Sequence, residues 1–146
     1  MKEKRIIGLY PLCGDLLHVG HIAAMREAKE YCDYLIVAVN ATPEGKNPIQ
    51  SIYERFMQVH SLRVADEVII YGGRKDLELI AGTLNYQIRF LGNEYMTKTW
   101  DGKEQEEERG IKPHFISTIS VISSTELRNR VHDKVEERRK AEENKK

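Results

Sequence analysis

Arg5-Ile6-Ile7-Gly8-Leu9-Tyr10, and then Asp15-Leu16-Leu17-His18-Val19-Gly20-His21-Ile22-Ala23-Ala24-Met25, decide how this chain reads. The first stretch is a hydrophobic run of strand length. The second passes into a helix near Val19 that continues through Ala28 to Tyr31. At the junction two imidazoles flank a glycine. A helix start exposes unpaired backbone N–H groups and a partial positive charge. His18, His21 and the side-chain-free Gly20 therefore make a cradle for a polyphosphate. An isolated pair of this kind could equally cap a helix or fill a core. Its place after the first strand, behind Asp15, favours the ligand reading.

Moving outward, Tyr34-Leu35-Ile36-Val37-Ala38-Val39 is apolar almost throughout, as a strand covered on both faces should be. Residues 40–50 carry Thr42-Pro43, Glu44-Gly45 and Asn47-Pro48, which mark a loop. Ser51 and Glu54 have the spacing of a capping box, and the helix they open is expected to reach about Val64. Glu67 to Tyr71 reads as a third strand, stopped by Gly72-Gly73. Leu77, Leu79, Ile80 and Leu84 belong to the next helix. Gln87 to Leu91 is a fourth strand ending at Gly92. A short helix over 103–109 and a short strand over 113–116 follow. Ser123 or Ser124 then opens a last helix through Leu127, Val131 and Val135.

Strands alternating with helices predict an α/β, Rossmann-like fold: a parallel five-stranded sheet with helices on both faces. Residues 1–132 form the domain, and 133–146 a charged tail, helical or disordered. Ligands of such sheets bind beyond the carboxyl ends of the strands. His18 and His21, Gly92-Asn93-Glu94, and Ser123-Ser124-Thr125 should therefore meet on one rim. Each has an ordinary reading as well. Asp15 could only brace the histidine turn. The serine-threonine run could be no more than an N-cap. Glu94 could face water, and Trp100 could be a lid aromatic or a core residue.

Twenty-three basic residues balance 23 acidic ones, which argues against a broad field for nucleic acid or a membrane surface. No apolar stretch approaches membrane-spanning length. No signal peptide is expected, and Cys13 and Cys32 lack metal spacing, so a reduced, cytoplasmic protein is expected. Zinc is a weak reading, because the two histidines have no evident third ligand. Cys13 near them leaves a thiol–imidazole pair as an alternative chemistry.

Taken together, Asp15 to His21, Asp33 to Val39, Arg63-Val64-Ala65-Asp66-Glu67-Val68 and Ile122-Ser123-Ser124-Thr125 resemble the nucleotidyltransferase superfamily of His-x-Gly-His type. Within it the chain is most similar to the glycerol-3-phosphate cytidylyltransferases, from Ile6 to about Val131. The resemblance implies transfer of CMP from CTP to glycerol 3-phosphate or a similar small phosphorylated alcohol, with release of pyrophosphate. It implies His18, His21 and Lys46 as catalytic residues. It implies Leu12, Cys13, Gly14, Asp15, Gly20, Gly92, Glu94, Ser123, Ser124, Thr125 and Arg128 around the nucleotide, and Arg55 and Arg63 at the acceptor phosphate. Magnesium would arrive with the triphosphate, and a homodimer is implied. Three departures stand out. Leu12-Cys13-Gly14 replaces glycine-threonine-phenylalanine, Thr118 stands where arginine is usual, and Gly92-Asn93-Glu94 replaces glycine-aspartate-aspartate. Arg128 could restore the charge absent at Thr118. The alternatives are an ATP-dependent adenylyltransferase, suggested by Ile122-Ser123-Ser124-Thr125 followed by Arg128, and a non-catalytic nucleotide sensor.

Overall fold

The computed structural model describes residues 4–117 and 122–145. Five strands, β1 (Ile7–Leu12), β2 (Tyr34–Asn40), β3 (Glu67–Tyr71), β4 (Ile88–Leu91) and β5 (Lys112–Phe115), form one sheet in the order β3-β2-β1-β4-β5. Every pairing is parallel. The helices α1 (Val19–Glu30), α2 (Ile52–His60), α3 (Arg74–Thr83), α4 (Lys103–Glu108) and α5 (Ser124–Glu143) alternate with the strands, and a 3-10 turn covers Asn93–Thr97. This is the expected Rossmann-like arrangement. The chain builds outward from β1 to β3 and then returns to lay β4 against the other edge of β1. The strand order reverses there, and the carboxyl ends of β1 and β4 frame a crevice.

Strand β2 shows why both faces are covered. Leu35, Val37 and Val39 join one core cluster with Ala24, Met25 and Ala28 of α1 and Val59 of α2. Ile36 and Ala38 join another with Leu77, against which Ile80 packs, both from α3. The alternation is the two-residue period of a strand resolved onto two helical layers. Gly8 of β1 is required by close approach: a Cβ there would stand 2.3 Å from a ring carbon of Phe90.

One helix ends well short of the sequence reading. Helix α2 ends at His60, short of Val64. Ser61 Oγ donates to the Met57 carbonyl, and Leu62 N–H to that of Val59, which tightens the last turn. Leu62 and Val64 still pack on the core from irregular backbone, so the apolar spacing outlasts the helix. Helix α5 runs without a break from Ser124 to Glu143, through Leu127, Val131 and Val135 as expected. No helix among the described residues is long and apolar enough to cross a membrane. Thr118 lies outside the described residues.

Candidate active site

The two histidines cap their own helix. His18 is the N-cap of α1, and its Nδ1 accepts the Gly20 N–H at 3.0 Å. His21, three residues later, returns the contact: its Nδ1 accepts the His18 N–H at 3.3 Å. This reciprocal pairing is a capping box built from imidazoles, and it satisfies two backbone donors at the helix start. A ring nitrogen that accepts an N–H carries no proton. Each neutral ring therefore has its proton on Nε2, which is left as a donor. The ring centroids stand 3.9 Å apart. Burial pushes the His21 pKa down to about 4, aided by the nearby His18 and Lys46 and opposed by Asp15. Burial also lowers that of His18. At neutral pH the site thus presents two uncharged, pre-oriented donors.

The turn ahead of the helix is bent by Gly14 at φ 72° and Leu16 at φ 49°. Leu16 is a non-glycine residue in the left-handed region, a conformation held only by its surroundings. Its N–H donates to Gln50 Oε1 at 2.7 Å. The buried Asp15 carboxylate accepts the N–H groups of Ile49 and Gln50 at 3.1 and 2.9 Å. Asp15 therefore braces the histidine turn against the Lys46 loop. From the far end of the chain, Ser124 Oγ donates to the Asp15 carbonyl at 2.7 Å. Ser123 is the N-cap of α5, accepting the Glu126 N–H. Arg128 lies 3.4 Å from the Thr125 hydroxyl and 4.0 Å from Asp15 Oδ2.

Two cavities meet at His21. The smaller, about 480 Å³, is lined by His18, Gly20, His21, Gly92, Asn93, Glu94 and Ser123, among others. It brings together all three segments expected on the rim. The larger, about 520 Å³, opens on the other side and takes in Leu12, Cys13 and Lys46. Tyr10, His21, Gly92 and Glu94 line both. Burial, with help from Glu94 and Glu27, pushes the Tyr10 phenol up to about 12, so it stays protonated.

Arg55 and Arg63, expected at the acceptor phosphate, line neither of these two cavities. Arg55 is 1% exposed. Its guanidinium donates to the carbonyls of Cys13 (2.7 Å), Asn40 (2.6 Å) and Gln50 (3.1 Å), tying the ends of β1 and β2 to the loop before α2. Arg63 is exposed in the loop that leads into β3, at the amino edge of the sheet and opposite the histidine rim. The larger cavity instead offers Arg74, with Asn40, Tyr71, Trp100 and Asp101. Only Gly72-Gly73, which places the start of α3 at the end of β3, signalled Arg74 in the sequence.

A parallel sheet with this strand reversal, and a self-capped histidine pair at the switch point between two cavities, fit the nucleotidyltransferase superfamily of the His-x-Gly-His type. The chain belongs to the cytidylyltransferase-like family, whose model matches residues 13–130. It is 29% identical over 126 residues to the bifunctional protein HldE of Koribacter versatilis, a match over 82% of this chain and 26% of that one. It is 33% identical over 125 residues to the ethanolamine-phosphate cytidylyltransferase of Dictyostelium discoideum, over 82% of this chain and 34% of that one. The chain thus spans about a quarter to a third of the length of these relatives. A solved structure of the lipopolysaccharide core biosynthesis protein from Thermoplasma volcanium is similar at a TM-score of 0.66 and 26% identity, over 80% of this chain and all of that one.

Proposed function

We propose that this chain transfers CMP from CTP to the phosphate of a small phosphorylated alcohol, of which glycerol 3-phosphate is the simplest, releasing pyrophosphate. One observation carries the reading: the reciprocal cap that leaves two Nε2 donors at the junction of two cavities. In this reading the nucleotide lies in the smaller cavity and the acceptor in the larger, with the α-phosphorus beside His21, which moves Leu12 and Cys13 from the nucleotide to the acceptor side. An acceptor phosphate oxygen is already anionic and needs no strong base. The obstacle is the approach of two anions and the charge that grows on the five-coordinate phosphorus. Fixed donors that need no reorganisation lower that barrier.

In this scheme His18 and His21 donate to phosphate oxygens, and Gly20 lets the backbone come close. Lys46, which lines the larger cavity with His21, adds positive charge where the acceptor enters. Ser123 and the start of α5 face the pyrophosphate. Among the described residues no group of three side chains could hold a metal, and the Asp15 carboxylate is already paired. A magnesium ion carried in by the triphosphate would take most of its ligands from phosphate and water; Glu94 is exposed and lines both cavities. Such an ion would offset phosphate charge. A cytoplasmic setting, argued from cysteine usage, and a homodimer, argued from the resemblance, belong to the same reading.

The test is pyrophosphate release with CTP and with ATP, each paired with glycerol 3-phosphate and related acceptors. His21→Ala should lower turnover by about 10²-fold or more, as removal of one preorganised donor does, while the fold survives. Turnover close to that of the unmodified chain would refute the role of His21. Binding of nucleotide without turnover would favour the sensor reading.

A further inference from the structure

The larger cavity extends well beyond the space needed beside His21. Its volume of about 520 Å³ lies in the range of pockets that enclose a drug-sized molecule, several times the bulk of glycerol 3-phosphate. Behind Trp100 of its lining lies a built structure. Glu106 is 2% exposed and accepts three donors: Trp100 Nε1 at 2.8 Å, Arg89 NH1 at 2.7 Å and the Tyr86 hydroxyl at 2.5 Å. That carboxylate fixes the Trp100 indole by its edge, and Phe115 packs against the same ring at right angles, 6.0 Å between centroids. The turn beneath is tight. Gly102 has φ 90°, and a Cβ there would stand 2.6 Å from the Ala81 Cβ. Arg89 also lines the cavity, and its buried Nε has no hydrogen-bond partner among the described residues.

The lining is chemically mixed. Trp100 and Tyr95 bring aromatic surface, and Asp101, Asn40 and Tyr71 bring side chains that can hydrogen-bond. Lys46 stands in the same cavity as His21, and Arg74 is held 3.5 Å from Asp101. A three-carbon acceptor would fill only part of a cavity of this volume. A purely apolar body would leave its polar groups unmatched, which is costly in a confined site.

Building on the nucleotidyl-transfer reading, we infer that the acceptor is a phosphorylated sugar or polyol of pentose or hexose size. Its phosphate lies beside His21 and Lys46, and its hydroxylated body rests against Trp100 and Asp101. The chemistry balances without a further reactant. An acceptor phosphate oxygen bonds to the α-phosphorus of the nucleotide. The bond from that phosphorus to the bridging oxygen breaks, and its electron pair leaves with pyrophosphate.

The experiment measures pyrophosphate release by the full chain, with CTP and ATP in separate arms. The acceptors are glycerol 3-phosphate, phosphoethanolamine, a pentitol 5-phosphate and a set of pentose and hexose phosphates. At least one sugar or polyol phosphate should exceed both short acceptors about tenfold in kcat/KM, and Trp100→Ala and Asp101→Asn should each erase most of that preference through KM. Loss of a hydrogen bond to a charged group corresponds to roughly 10- to 100-fold in affinity. The KM for the nucleotide should not move. Asp101→Asn, at a partly exposed position, keeps the test valid if Trp100→Ala does not fold. Turnover that is equal or faster with the short acceptors overturns this inference and leaves nucleotidyl transfer standing. So does a pair of variants that lower every acceptor alike. No release with any acceptor and either nucleotide overturns the parent reading, and this one with it.

Discussion

Ser124 Oγ donates to the backbone carbonyl of Asp15 at 2.7 Å, across 109 positions of sequence. This contact ties the start of α5 to the turn that presents the histidines. Asp15 in turn holds the loop that bears Lys46. One short chain of hydrogen bonds therefore sets the spacing of three elements around the proposed triphosphate. Ser124→Ala should cost about 1 kcal/mol in stability, the net value of one hydrogen bond. Its larger effect should be on turnover, down about tenfold or more, because small misplacements of reacting groups are expensive. Ser124→Thr keeps the hydroxyl and should recover most of the rate. Thermal midpoints and kcat for the two variants decide the matter. Equal rates for both would separate this hydrogen bond from the site.

His18 combines two jobs that substitution can separate. Its Nδ1 caps α1, and its Nε2 makes no hydrogen bond among the described residues. Asparagine is a good N-cap and has no group where Nε2 stands. His18→Asn should therefore keep stability within about 0.5 kcal/mol while turnover falls about 10²-fold or more. His18→Ala should lose the cap as well, at about 1 kcal/mol. Chemical denaturation beside steady-state rates reads both quantities. Equal stability of the two variants would argue against a capping role.

What could be read from the sequence was local or periodic. The buried run of β2, the Ser51–Glu54 capping box and the strand–helix alternation each depend on neighbours close in sequence, and each appears as expected. The three rim segments were placed by a general property of parallel sheets. The histidine spacing was visible, but not its cause: three residues is the capping-box interval, and imidazole is an unusual group to fill it. Arg55 and Arg63 looked alike in sequence. The carbonyls that bind Arg55 come from Cys13, Asn40 and Gln50, and no side-chain pattern marks a backbone acceptor. Trp100 and Glu106 are six residues apart, which is no helical repeat. Only the Gly102 turn before α4 brings them together.

The depressed His21 pKa carries a consequence for acid stability. In the unfolded chain the imidazole titrates near its ordinary value of 6.5, and in the fold near 4. Between those values the unfolded state binds more protons, so folding stability falls as pH drops through this window. Above pH 6.5 the effect is absent. The denaturant midpoint should therefore decrease from pH 7 to pH 4.5. His21→Asn offers a side-chain oxygen to the His18 N–H without a titrating ring, and it should flatten part of that slope. A variant with the same slope as the unmodified chain would exclude His21 as a source of acid lability.

Arg55 gives the sharpest separation between a binding residue and a structural one. Its guanidinium is buried and joins three backbone segments through their carbonyls. Removing it leaves buried acceptors without donors, and each such group costs about 1–3 kcal/mol. Arg55→Ala should destabilise the fold by about 3 kcal/mol or more. Arg55→Lys should recover only part, because an ammonium cannot reach three carbonyls with the geometry of a planar fork. An acceptor-binding arginine would behave otherwise, with stability intact and the acceptor KM raised. Urea unfolding of both variants, beside the acceptor KM of whichever stays folded, distinguishes the two. A stable Arg55→Ala with a raised acceptor KM would return this residue to the acceptor site.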